Sequence, residues 1–282
     1  MSFISPLDGL SGLTGAWSFS RPLLSTWTGA LYTLTSGTIS SLHDQSGAGR
    51  NSGQPGASGL RPALTNAGVS NRACASFDGT NDYLVTTATM DDFIDAGAGY
   101  IISSAIIDTI GTNAANTWQN DAIWADSGSI VGVHLKSANT IHGYNFDGTD
   151  DKTTEAVSTG TAIVVEWWHS GGNVNCRVNG GTTQTVASGN STSLTGTMYF
   201  GTAQGAGTLA DMKLFEAAAF STVPGSTDRD ALTANFQQWL NGEYGTGAAA
   251  AAAAAVAATT AQRARHVRSG GVRTRLDRLR ND

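Results

Sequence analysis

The stretch "AIVVEWWHSGGNVNCRVNGG" (162–181) is two short β-type runs meeting at a glycine pair. Val174, Cys176 and Val178 alternate with polar residues, the period of a strand rather than of a helix. The turn at Ser170-Gly171-Gly172 predicts a hairpin. The same grammar repeats along most of the chain. Candidate strands cover 72–77, 83–87, 100–108, 121–124, 130–135, 140–146, 162–169, 174–178, 183–186, 196–201 and 207–220, each bounded by Gly, Asn, Asp or Ser. Many short strands with turn signals between them predict an all-β sandwich. Composition agrees: charged residues are only 13% of the chain while glycine reaches 35 residues, which suits Ser/Thr-coated sheets better than a helical enzyme.

One segment of the body breaks the pattern. In "STDRDALTANFQQWLNGEYG", Ser226 or Thr227 can cap a helix, Asp228 and Asp230 sit near its start, and Gly242 or Gly245 can end it. Leu232, Phe236, Trp239 and Leu240 recur at helical spacing, so one face should pack on the sheets. Of the two cysteines, Cys74 counts outward from Phe77 and Cys176 lies on an apolar face. Two separate thiols are expected rather than a bridge.

The net charge of −6 conceals a division. The body up to Gly245 is net −11, and the remainder is net +5. That tail opens with an alanine run expected to be helical, continues through a Ser269-Gly270-Gly271 hinge, and ends in an arginine-rich stretch. The predicted domains are therefore 1–245, a sandwich, and 246–282, a docking tail carried by Arg263, Arg265, Arg268, Arg273, Arg275, Leu276, Arg278, Leu279 and Arg280. An acidic protein surface is favoured over nucleic acid as its partner, because arginine pairs carboxylates in a planar fork. A homo-oligomer, such as a trimer through the alanine helix, stays open. The first residues lack a basic segment followed by a continuous apolar core, and no window is long and apolar enough to span a membrane. Synthesis in the cytoplasm without membrane association is expected.

Further motifs resemble a family. "LHDQSGAGRN", then "RPAL", then "FDGTNDYL" resemble the opening of concanavalin A-like, laminin-G-like jelly-roll domains of bacteriophage virion proteins and bacterial surface proteins. "VEWWHSGGNVNCRVNGG", "YFGTAQGAGTLADMKLFEAAAFS" and "DRDALTANFQQWLNGEYG" resemble the later strands and closing helix, so the resemblance covers about residues 14–245. "AWSFSRPLLSTWTGAL" also resembles the start of an arabinofuranosidase domain on the same sandwich, with no catalytic carboxylates matched across. The resemblance implies a jelly roll of two antiparallel sheets. It also implies a virion fibre, spike or capsid-decoration protein, with a lectin-like face for host glycans and virion proteins as partners. The alternative is a carbohydrate-active enzyme or a bacterial surface glycan-binding module.

For sugar binding the aromatic candidates are Trp118, Trp124, Tyr144 and Trp168, with Trp167 pointing the other way along its strand. For metal, Asp147, Asp150 and Asp151 share one loop and supply the hard oxygens that Ca2+ takes. The same residues also make turns without metal, and that reading is favoured. For catalysis, none of the four Glu of the body (155, 166, 216, 243) has a second carboxylate two residues away. Glu166 is the best lone candidate, and a structural strand residue is the favoured reading for it. No nucleophile elbow, zinc-protease motif or phosphate loop occurs. A non-enzyme without a required cofactor is expected, and "SLHDQSGAGRN" is expected to be a turn in which Asp44, Gln45 and Ser46 satisfy backbone groups.

Overall fold

The computed structural model describes residues 6–242 apart from 55, 57, 68–70, 110–120, 129, 137–138 and 204–208. The docking tail expected at 246–282 lies outside the described residues. The first half of the chain forms β1 (Leu13–Ser18), β2 (Tyr32–Thr35), β3 (Thr38–Leu42), β4 (Ser52–Gly53), β5 (Ala63–Ala67), β6 (Arg72–Asp78), β7 (Leu84–Thr89), β8 (Gly99–Thr109) and β9 (Ala122–Asp126). The second half forms β10 (Val131–Lys136), β11 (Thr140–Phe146), β12 (Asp150–Lys152), β13 (Glu155–Ala156), β14 (Ala162–Ser170), β15 (Asn173–Val178), β16 (Gln184–Ala187), β17 (Thr197–Phe200) and β18 (Asp211–Phe220). Helix α1 (Ser226–Asn241) closes it.

All pairings are antiparallel, in two runs. One reads β5–β6–β18–β8–β14–β15–β16. Here β18 spends residues 211–214 on β6 and 216–220 on β1, so two strands share one of its edges. The other reads β2–β3–β4–β7–β17–β9–β10–β11, with β12 and β13 along the far side of β11. A single pairing, Thr38 with Ala63, joins the runs. The result is all-β, one antiparallel sheet wrapped almost closed around an apolar core, with one helix.

The alternation expected of strands places the core. Ile101, Ala105 and Ile107 of β8 and Ile163, Val165 and Trp167 of β14 face Ile123, Val131, Val133, Ile141, Met198 and Phe200 from the other run. Trp124 meets Trp167 edge to face at 5.5 Å, and Trp17 does the same with Phe200 at 5.6 Å. The intervening residues of β8 and β14 are also buried. Tyr100, Ile102, Ile106, Val164 and Trp168 pack with Leu232, Phe236 and Leu240 of α1 and with Leu7 and Leu23 of the N-terminal segment. This explains why "YIISSAII" and "AIVVEWW" read as unbroken apolar runs rather than alternating ones. Cys74 belongs to this outer layer and Cys176 to the core, and both are free thiols. Gly171 and Gly172 turn the β14–β15 hairpin with φ of 58° and 73°, the two left-handed positions such a tight turn requires. Helix α1 starts after Gly225 with no side-chain cap, so neither Ser226 nor Thr227 caps it, and it ends on left-handed Gly242.

Charged side chains fasten this outer layer. Arg21 grips Glu216 of β18 with two bonds of 2.7 and 2.8 Å, and the Glu216 side chain is 0% exposed. The Arg21 guanidinium stacks on Trp239 of α1 at 4.5 Å, and Arg72 stacks on the same ring at 3.9 Å. Toward the other end of α1, Arg177 pairs both Glu166 and Asp230, while Arg229 lies 4.5 Å over Trp168. Removing one partner of a buried pair strands a charge, at a cost of about 3–5 kcal/mol. Glu216→Ala should lose that much in urea unfolding. The double variant Arg21→Met/Glu216→Leu should recover most of it; a loss equal to or larger than that of the single variant would show that the pair itself is the stabilising element.

Candidate functional site

The turn "SLHDQSGAGRN" behaves as expected. Asp44 accepts from the backbone N–H groups of Ala16, Ser46 and Arg50 at 2.9–3.0 Å, and Gln45 Oε1 accepts from Leu23 N at 2.6 Å. Gly47 and Gly49 take positive φ. These polar groups are consumed by scaffold. So is Glu166: its carboxylate accepts from Arg177 and from the Tyr100 hydroxyl at 2.8 Å and is wholly buried, which removes it as a catalytic candidate.

Two of the aromatic candidates need correction. Trp124 lies inside the core, and Trp168 is 6% exposed beneath α1 with Arg229 on its face. A sugar needs an open ring face, and neither offers one: Trp124 points into the core, and Trp168 lies under the layer that covers the outer side of β14. Trp118 lies outside the described residues. Tyr144 is buried too, but its hydroxyl reaches Asp150 Oδ1 at 2.9 Å on the outer face of β11 and β12.

The three loop carboxylates do not converge on a cation. Asp147 accepts from Thr149 N and Oγ1 at 3.0 and 2.7 Å and from Gly189 N, and these bonds, the Thr149 hydroxyl foremost, hold its carboxyl down to about 2. Asp150 is turned to Tyr144, and Asp151 Oδ1 to the Thr149 hydroxyl at 3.3 Å. Among the described residues no three His, Cys, Asp or Glu side chains gather as a metal would need. The arrangement does not fit a shared Ca2+.

What the structure does gather lies around Tyr144. In β10, Val131, Val133 and Leu135 face the core, which turns Gly132, His134 and Lys136 to the outside. In β11, Ile141 faces inward, and His142 and Tyr144 outward. The antiparallel register then sets His134 opposite His142, and Tyr144 between Gly132 and Lys152. Ala122, Ala125 and Ala203 form a small buried cluster beside them. Gly132 is dictated by that packing, since a Cβ there would come within 2.7 Å of Ala125 Cβ.

The electrostatics of this face are unusual. His134 is 1% exposed, its ring edge-on to Tyr144 at 5.5 Å, and neither ring nitrogen has a hydrogen-bond partner. His142 Nδ1 is likewise buried without one. Burial first, then the charge of Lys136, pushes His134 down to about 3 and His142 to about 4, so both rings are neutral in ordinary buffers. Lys136 is lowered by burial and by Lys152, against the opposing pull of Asp121 and Asp150. Two amines, two carboxylates, two neutral imidazoles and a phenol thus lie within electrostatic reach on one sheet face. The sequence did hold a signal for the histidines: alternation in "VGVHLK" and "TIHGYNF" puts both on the polar side of adjacent strands. They were missed because single outward histidines on two strands mean nothing until the register is known.

No family model matches the chain, and no curated protein does. Solved structures do. Trypanosoma rangeli sialidase in complex with the inhibitor DANA aligns over 82% of this chain and 34% of its own, at 13% identity and a TM-score of 0.53. An arabinofuranosidase complexed with arabinofuranosyl-α-1,2-xylobiose aligns over 83% of this chain and 64% of its own, at 13% identity and 0.54. A GH54 α-L-arabinofuranosidase soaked with a cyclic sulfate inhibitor gives 79%, 62%, 14% and 0.54. The fold is one found in glycoside hydrolases. This chain spans about a third of the sialidase and under two-thirds of the arabinofuranosidases. Identity this low speaks for the fold alone. Two expectations are corrected by it: the solved structures that share this fold are glycosidases rather than phage virion proteins, and the expectation of a non-enzyme gives way to a fold carried by enzymes. The virion location and virion partners rested on that resemblance.

One consequence of the neutral imidazoles concerns stability. The folded state holds His134 unprotonated far below the pKa of an unfolded chain, so unfolding takes up a proton as pH falls below about 6.5. Stability is therefore lost between about pH 6.5 and pH 3, by on the order of a few kcal/mol for this ring. His134→Asn should flatten that slope in urea unfolding followed from neutral to acid pH; an unchanged slope would mean the ring is charged in the fold.

Proposed function

We propose that the chain is a carbohydrate-active protein, a jelly-roll sandwich of two facing antiparallel runs that works on a glycan at the outer face of β9–β12. The observation that carries this reading is the gathering of Asp121, Lys136, Tyr144, Asp150 and Lys152 there. The cluster opens to solvent at Asp150, which is exposed, and at the two lysines, which are half-buried. Donors and acceptors gathered on one face are what sugar hydroxyls recognise. Glycosidic hydrolysis further asks for two carboxyl groups in unlike environments, one able to give a proton and one ionised. Asp121 is buried and Asp150 exposed, and the charge of each reaches Lys136. The reading casts them as that pair. Residues 246–282 would tether the domain to an acidic protein partner through the Arg/Leu stripe.

The test is hydrolysis of a panel of aryl glycosides that includes arabinofuranosides and sialosides. Asp121→Asn and Asp150→Asn should each lower turnover by roughly a hundredfold or more, the scale of a lost acid–base group, without unfolding the protein. Binding to glycans without turnover would make this a glycan-binding module on the same face. Neither turnover nor binding across the panel would end the reading.

A further inference from the structure

His134 and His142 stand directly opposite each other on neighbouring antiparallel strands. Opposed residues in such a ladder have Cβ atoms about 4.5–5.5 Å apart. Two imidazoles on that base can close on one ion at the ~2.0–2.1 Å of a zinc–nitrogen bond. We propose that His134 and His142 form a two-histidine site for a divalent transition metal of the Zn2+, Ni2+ or Cu2+ class.

The unmatched nitrogens point to a ligand. Buried polar atoms in folded proteins nearly always have a partner, and each one left without costs about 1–3 kcal/mol. His134 has none at either ring nitrogen, and His142 none at Nδ1, while His142 Nε2 is at the limit of hydrogen-bond distance from the Thr154 hydroxyl, 3.5 Å. His134 is also fully enclosed, so bulk water does not satisfy it. The donor type sets the metal: imidazole nitrogen favours the later first-row ions and discriminates against Ca2+ and Mg2+, which prefer all-oxygen shells. No third His, Cys, Asp or Glu side chain joins the pair among the described residues. Two ligands make a modest site, one that registers at tens of micromolar metal rather than nanomolar. Metal binding here needs no sugar, so the site stands or falls independently of the glycan reading.

The experiment uses the full, untagged chain, stripped with a chelator and titrated with Zn2+ and Ni2+ by calorimetry, and with Co2+ followed by visible absorption. One ion per chain and a rise in Tm are expected. His134→Asn and His142→Ala should each weaken binding at least tenfold, while His43→Ala, whose ring is paired with Thr33 elsewhere on the surface, should leave it unchanged. The zinc K-edge spectrum of the unmodified protein needs no variant and should show two imidazole nitrogens in the first shell. The site is overturned by no binding at millimolar metal, by binding that both variants retain, or by a zinc shell without imidazole. Any of these would leave a trapped water or a sugar hydroxyl as the partner of His134.

Discussion

A strand that is apolar on both faces has to be covered twice. β8 and β14 impose that condition, with Ile101, Ile107, Val165 and Trp167 on one side and Tyr100, Ile102, Val164 and Trp168 on the other. The second run of strands covers the inner side. The outer side is left for α1 and the N-terminal segment, whose Leu232, Phe236, Leu240, Leu7 and Leu23 have no other apolar surface to meet. The ion pairs follow from the same condition. Glu166 and Glu216 stand on the covered face of central strands, and a carboxylate there is tolerable only with a partner brought to it. Arg21 and Arg177 are those partners, and in reaching them they fix the covering layer to the sheet.

The other run differs: among the described residues no helix packs on the outer surface of β9–β12, where Ala122, Ala125, His134 and Tyr144 are buried and Asp150 at the margin is exposed. Its chemistry is asymmetric with depth. Near the solvent edge Asp150 and Thr154 are exposed and Lys152 is half-buried, whereas His134 is sealed beneath, with its ring against Tyr144. A sugar meets the outer groups first. An ion would lodge deeper, where burial has already forced the imidazoles neutral. One face can serve both without either depending on the other, because the exposed Asp150 and the buried His134 sit at separate levels.

Much of the scaffold was legible because its signals are local. The Gly171-Gly172 turn, the alternation in β15, the helical spacing of Leu232, Phe236 and Leu240, and the opposite facing of Cys74 and Cys176 each depend on a few neighbouring residues. The short strands β1, β2, β3 and β5 were not legible: "LTGAWS" owes its extended form to a distant partner in β18, while β2 and β3 form a hairpin about a Ser36-Gly37 turn whose strands are too polar to stand out. The site was the least legible part. Trp124 and Trp168 looked like sugar platforms because a tryptophan in a polar, glycine-rich sequence invites that reading, and only the second packed layer over β14 hides Trp168. His134 and His142 become a pair solely through a register that no local rule predicts.

The same distinction explains why family-like motifs pointed to an all-β architecture without carrying the role. "HDQSGAGRN" and "FDGTNDYL" are turn motifs, and the structure shows what they do. Asp44 takes three backbone N–H groups, Asp78 Oδ1 takes those of Thr80 and Asn81, and Asp82 takes that of Asp78. Burial and the neighbouring Asp78 push the Asp82 carboxyl up to about 6, a cost accepted for the geometry of the turn. Residues tied into such networks are constrained by the fold whatever the protein does. They therefore recur in virion proteins, lectins and hydrolases alike, and carry no information about which one is present. The groups that would distinguish those roles are the exposed ones at the margin of β9–β12, Asp150 among them; deeper on that face Gly132, His134 and Tyr144 are held by packing as firmly as the turns are by their hydrogen bonds.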